Sequence, residues 1–181
     1  MPTTNDRMTK VDADMEAIAS RNCRAESLAA RIEEGAAGLA AFAEGLSDAE
    51  WRTTVSATDP RSVGVVVHHV ASMYPIEIGV AQAIASGRPV SDVTWEVVAK
   101  LNAKHAQENA QISKSAALEL LRRNSREAAA AVRAFTDQEL DSAAPFSLTF
   151  GAPVTAQFVI EDHAMRHSWH HLAAIRKAVG R

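Results

Sequence analysis

Seven histidines are spread unevenly over the 181 residues. Four fall in EDHAMRHSWHHLAAI, at His163, His167, His170 and His171, and two are adjacent in VVVHHVASM, at His68 and His69. Imidazole is a nitrogen donor that is largely neutral near pH 7, and it suits Zn, Ni, Fe or Cu better than Mg or Ca. Three such ligands on one ion leave a coordination position open, as catalytic zinc sites do. A thiol or a water in that position loses its proton more readily and becomes a nucleophile at neutral pH.

The spacing decides which histidines could meet. At 100° per residue, His171 and His163 lie about 40° to either side of His167 on one helix. Ala156, Ile160, Ala174 and Ala178 fall within about 20° of the His167 line, so this stripe is expected to face the core. His170 lies about 60° away, at the border of the charged side. On the helix carrying VVVHHVASM, residues Val65, Val66, Met73, Ile76, Val80 and Ile84 all lie within about 60° of His69, whereas His68 is about 100° off. His69 is therefore the inward member of its pair.

A buried imidazole without a partner costs a few kcal/mol, roughly. A single core histidine is usually hydrogen-bonded and structural. Two clusters on the inward stripes of different helices raise a metal held by His69, His167 and His171 to an equal alternative. His163 is the candidate general base. His105 is expected at the surface, Tyr74 and Trp95 as pocket lining, and Trp51 in packing. Glu77 is expected to be exposed, although it could enter the cavity. Cys23 reads as a small apolar residue, with no local feature that would activate its thiol.

Four long helical segments must position these groups. Leu28, Ile32, Gly35, Leu39, Phe42 and Leu46 mark the first, and Gly35 and Gly38 in it call for a close neighbour. LSDAEW follows, with Ser47 and Glu50 in capping-box spacing. The second helix is expected over Ser62–Ala85, introduced by Asp59 and Pro60, kinked at Pro75 and ended by SGRP. A shorter helix in TWEVVAKLNAKHA precedes the third, over Ser113–Phe135. FTDQEL repeats the capped short turn, DSAAPFSLTFGAP is irregular with a brief hairpin, and the fourth helix covers Thr155–Val179. The fold class is all-α, a four-helix bundle with short extra helices in the connections. Residues 1–13 read as a flexible N-terminal segment and 14–181 as a single domain.

A net charge of −3 gives no basic field, which argues against nucleic acid as a partner. The N-terminus lacks an apolar signal core, no run of about 18 apolar residues suggests a membrane span, and a lone cysteine cannot form an intramolecular disulfide. A small-molecule substrate and a cytoplasmic location are the expectations.

SVGVVVHHVASM and HSWHHLAAI resemble the DinB-like superfamily of four-helix-bundle metalloproteins. Its members typically carry a histidine near the middle of the second helix and an H-x-x-x-H pair in the fourth, matched here by His69, His167 and His171. Ser62, seven residues before His69, fits the usual lead-in. The resemblance implies an up-down-down-up bundle, a divalent transition metal (Zn or Ni), and frequently a homodimer. It also implies a thiol-dependent S-transferase or isomerase acting on small electrophiles, with a low-molecular-weight thiol such as mycothiol or bacillithiol. A metal-dependent hydrolase and a non-enzymatic binding or sequestration protein are the alternatives. The chain departs from two patterns. His167 stands where the maleylpyruvate isomerase branch has glutamate, and Leu172, Ala173 and Ala174 stand where many members have Arg, Gly and Gln.

Overall fold

The computed structural model describes residues 23–181, and the expectation of a flexible segment over residues 1–13 lies outside them. The first long helix, α1, is Cys23–Glu44. A capping box follows: the Ser47 hydroxyl accepts from the Glu50 amide, and the Glu50 carboxylate accepts from the Ser47 amide, which starts the short α2, Asp48–Trp51. The second long helix, α3, is Val63–Ala85, with Pro75 inside it. Its N-cap is Ser62, whose Oγ accepts from the Val65 amide. Asp59 and Pro60 thus do not open the helix. They belong to the preceding turn, closed where Val55 N–H donates to the Arg61 carbonyl and Val63 N–H to that of Thr53. Gly87, at φ 70°, ends α3 in the left-handed conformation that glycine adopts without strain.

The connecting helix α4 is Trp95–Glu108, and the third long helix, α5, is Lys114–Arg133, capped by Ser113. A second capping box, Thr136 with Glu139, opens the short α6, Asp137–Asp141. The brief hairpin is present. Strand β1, Ala143–Pro145, pairs antiparallel with β2, Pro153–Thr155, around a 3₁₀ turn at Ser147–Thr149. The fourth long helix then runs in three parts, the α-turn α7, Ala156–Val159, a π-helical stretch, Ile160–Met165, and α8, Arg166–Val179.

Side-chain pairings fix the directions of the four long helices. Arg133 at the end of α5 donates to Glu26 near the start of α1, at 2.8 Å, and forks onto Glu33 midway along it, while Lys114 at the start of α5 donates to the Leu46 carbonyl just past α1, so α1 and α5 are antiparallel. Arg24 at the start of α1 reaches Gln157 at the start of the fourth helix, and Gly35 and Gly38 meet Trp169 and Leu172, so these two run parallel. Asn124 of α5 donates to the Ala71 carbonyl of α3, and Gln82 and Ala85 lie beside Ala131 and Phe135, a parallel pair. Tyr74 of α3 meets Ser168 of α8 while Glu77, further along α3, meets the earlier His167, an antiparallel pair. The result is the up-down-down-up bundle.

One core fills it, from Ile32 and Leu39 of α1 through Val66, Val67 and Ile84 of α3 and Leu121 of α5 to Ile160 and Ile175 of the fourth helix. The close neighbour expected at Gly35 is Trp169, whose Nε1 would lie 2.8 Å from an added Cβ. Trp51 packs in the core, as its sequence context suggests, with Nε1–H donating to the Ile112 carbonyl. Cys23, read as a small apolar residue, is exposed. Among the described residues α3 alone has the length and apolarity of a membrane span, and it is the core helix that packs on α5 and α8.

Candidate metal centre

α3 and the fourth helix run antiparallel, which brings a residue midway along one beside a residue midway along the other. His69, His167 and His171 meet there. One nitrogen of each lies within 4.8 Å of one from each of the others. The ring centroids are 5.0 Å apart for His69 and His167, 5.7 Å for His69 and His171, and 4.9 Å for His167 and His171. His69 and His171 are buried, and His167 is partly buried. The i, i+4 spacing of the pair on α8 puts both rings on one side, and α3 closes the triangle.

Burial favours the neutral imidazole. Desolvation, with added repulsion from His167, pushes His69 down to about 2 and His171 to about 3. Both rings therefore keep a free lone pair at neutral pH, the form in which histidine binds a metal. His69 Nδ1 is buried and has no hydrogen-bond partner among the described residues. Such an atom is costly in an apolar setting unless a ligand completes it.

Glu77 is the functional residue that the sequence reading undervalued. Its carboxylate is buried, and Oε1 accepts from Nδ1 of His167 at 2.7 Å. A carboxylate on one ring nitrogen fixes the tautomer and orientation of a metal-binding histidine and raises the basicity of the other nitrogen. His167 is thus left with Nε2 as the atom that a metal would take. The available signal was the i+8 spacing of Glu77 from His69, two turns along one helix, combined with the antiparallel partner that carries His167.

His105 departs from the surface position expected for it. It lies at the flank of the centre, with its ring 5.5 Å from that of His69. Its Nε2 is 2.8 Å from Nδ1 of His68 and 3.3 Å from Ser72 Oγ, and the two imidazoles stack. His68, the outward neighbour of His69, is thereby occupied in holding α4 against α3. His170 is exposed, as its border angle implies, and touches His171 edge-on. His163 stands in the π-helical stretch, outside the triad, with its ring against Phe146 and Nε2 3.9 Å from the Asp162 carboxylate. Desolvation lowers its affinity for a proton, partly offset by the nearby Glu77 charge. Tyr74 is not pocket lining. It is fully buried, and its hydroxyl is hydrogen-bonded to Ser168 Oγ at 2.7 Å. Trp95 is largely exposed.

The donor set therefore fits a divalent transition metal. It offers three neutral nitrogen ligands from two rigid helices, a carboxylate orienting one of them, and an orphaned ring nitrogen where a partner is required. Comparison with known proteins agrees with this fold. No curated protein matches the chain. Among solved structures, YfiT from Bacillus subtilis superposes with a TM-score of 0.70 at 20% identity, over 87% of this chain and 86% of its own. YfiT is described as a probable metal-dependent hydrolase with an unusual four-helix bundle topology. Residues 31–175 match the family model of the DinB superfamily, well over half of the sequence, and the chain belongs to that superfamily.

Proposed function

We propose that this chain is a metal-dependent enzyme in which His69, His167 and His171 hold a divalent transition metal, Zn or Ni, and direct a nucleophile at a small electrophilic substrate. The observation that carries the reading is the convergence of three ligand nitrogens within 4.8 Å, with Glu77 on His167. The metal, when bound, supplies Lewis acidity and lowers the pKa of a ligand in its open position. The chain does the rest. Burial keeps His69 and His171 unprotonated, Glu77 orients His167, and the α3–α8 framework fixes the spacing of the three rings. His163, one turn before His167, is the candidate to carry a proton at the rim.

Two readings differ in the nucleophile. A low-molecular-weight thiol makes the protein an S-transferase or isomerase, and water makes it a hydrolase. The description of YfiT as a probable metal-dependent hydrolase supports the second reading. Turnover of an electrophile panel by the metal-loaded protein, with and without added thiol, separates them. Thiol-independent turnover supports the hydrolase, and an absolute thiol requirement supports the transferase. Metal content of the purified protein against His69→Ala tests the ligand set. Unchanged stoichiometry in the variant would show that His69 is not a ligand.

A further inference from the structure

The turn that leads into α3 carries a second polar arrangement, which the metal ligands do not explain. Arg61 is largely buried, with 17% of its side chain exposed. Asp59 grips one edge of its guanidinium, with Nε donating to Oδ1 and Nη2 to Oδ2, both at 2.7 Å. The Arg61 amide also donates to Asp59 Oδ1, at 3.3 Å. The backbone is pinned on both sides by the Thr54–Ser62 bridge and by the bond from Val55 N–H to the Arg61 carbonyl. The guanidinium is therefore held in one orientation. Its remaining nitrogen, Nη1, is buried and has no partner among the described residues.

A guanidinium presents two edges for bidentate pairing with a carboxylate, and Asp59 occupies only the Nε–Nη2 edge. The Nη1–Nη2 edge is left with Nη1 unsatisfied, an unfavourable state for a buried donor unless an acceptor arrives. The position of this edge matters. Arg61 precedes the N-cap of α3, and His69 lies about 9 Å along the axis from the first helical residue, Val63. The charge of Arg61 reaches His69 and His171, and that of Asp59 reaches His171. Glu77 is bonded to His167, and the turn that carries Asp59 and Arg61 leads into the helix that carries His69. Three neutral imidazoles leave the charge of a divalent ion uncancelled, so an anion is tolerated beside it.

We infer that Arg61 is the substrate-binding residue of this centre, and that the substrate is a small carboxylate whose oxygens pair with the free Nη1–Nη2 edge while its electrophilic carbon is held toward the triad. Asp59 is the positioning residue that sets the orientation of that edge. The inference rests on the metal-enzyme reading for the identity of the reaction, but the binding of a carboxylate by Arg61 is testable without it.

The test is an NMR shift titration with acetate, using acetamide as the uncharged control, on metal-free and zinc-loaded protein and on Arg61→Gln and Arg61→Lys. The expected result is acetate-dependent shifts at residues 59–65, absent with acetamide, and at least tenfold weaker acetate binding in Arg61→Gln with zinc stoichiometry unchanged. Arg61→Lys keeps a cation for Asp59, and so the fold, but loses the forked edge. It is expected to bind acetate at least threefold more weakly, and it decides the question if the glutamine variant unfolds. Acetate affinity equal to that of the parent in the folded variants would overturn the inference. Failure of the parent to take up zinc would overturn the metal reading alone, because the metal-free arm still reports on Arg61.

Discussion

Removing the charge of Glu77 should weaken the metal site without weakening the fold. The carboxylate is 6% exposed, its Oε1 accepts from His167 Nδ1 at 2.7 Å, and its Oε2 is buried with no partner among the described residues. Glu77→Gln keeps the volume and can keep an acceptor on Nδ1, but it removes the negative charge that polarises the ring. Loss of an outer-shell carboxylate typically costs about 10–100-fold in metal affinity. That range is about 1.4–2.7 kcal/mol, which overlaps the roughly 1.5–3 kcal/mol of a hydrogen bond to a charged group. The metal-free protein should respond in the opposite direction. A buried carboxylate with one unsatisfied oxygen is a desolvation burden, and a neutral amide of the same shape relieves part of it. The expected outcome is a 10–100-fold rise in the zinc dissociation constant, measured by competition with a chelator, together with an unchanged or higher melting temperature of the metal-free variant. Unchanged zinc affinity with a lower melting temperature would refute the reasoning and make Glu77 a structural partner of His167.

Three further outcomes follow from the packing and the buried rings. An added Cβ at Gly64 would lie 2.5 Å from the Trp51 indole, whose Nε1–H is committed to Ile112, so Gly64→Ala should cost about 1–3 kcal/mol by denaturant unfolding; a neutral effect would mean the indole can move. Tyr74→Phe leaves Ser168 Oγ without its buried partner and should cost about 1–3 kcal/mol while metal stoichiometry is retained; loss of metal would place Tyr74 in the site instead. Desolvation holds the folded-state values of His69 and His171 far below 6.5, so below that pH the unfolded chain binds more protons than the folded one. Stability of the metal-free protein is thus complete above about pH 6.5 and falls on acidification toward the folded values, by roughly 1.4 kcal/mol per pH unit for each histidine. A metal-free melting temperature that stays flat between pH 7 and pH 5 would contradict this.

The helix order, both capping boxes, the hairpin and the inward i, i+4 pair His167 and His171 were legible because each rests on local spacing. Ser47 with Glu50 and Thr136 with Glu139 announce their turns four residues at a time. What was not legible depends on partners far away in the chain. Glu77 meets His167 across 90 residues, and His105 meets His68 across 37, and no local pattern distinguishes these from exposed polar residues on the same helices. The start of α3 was misread for another reason. Asp59 and Pro60 are good helix-opening residues, but the Asp59 carboxylate is claimed by Arg61, and Ser62 caps instead.

The sequence brought together the three histidines that converge in the fold, but for a reason that needs amendment. The stripes through His69 and His167 were read as core faces, yet Ile76, about 20° from His69, is 55% exposed. The fully buried residues of α3, such as Val63, Tyr74, Ala81 and Ile84, centre about 100° round the helix from His69. On α8 the buried set is Ser168, His171, Leu172 and Ile175, centred about 90° from His167. In a straight helix Ala156, Val159 and Ile160 would then lie on a different face from this set. The π-helical stretch Ile160–Met165 removes the conflict, because one residue added to a turn rotates everything before it by about 100°. Ala156, Val159 and Ile160 are brought onto the same buried stripe as Ser168 and Ile175. His69 and His167 are left at the margin of the core, with Glu77 behind them and α4 beside them. A metal centred in the bundle could not be reached by a substrate. The π-helical stretch immediately before His167 lets one continuous helix serve both the core and a site at its edge.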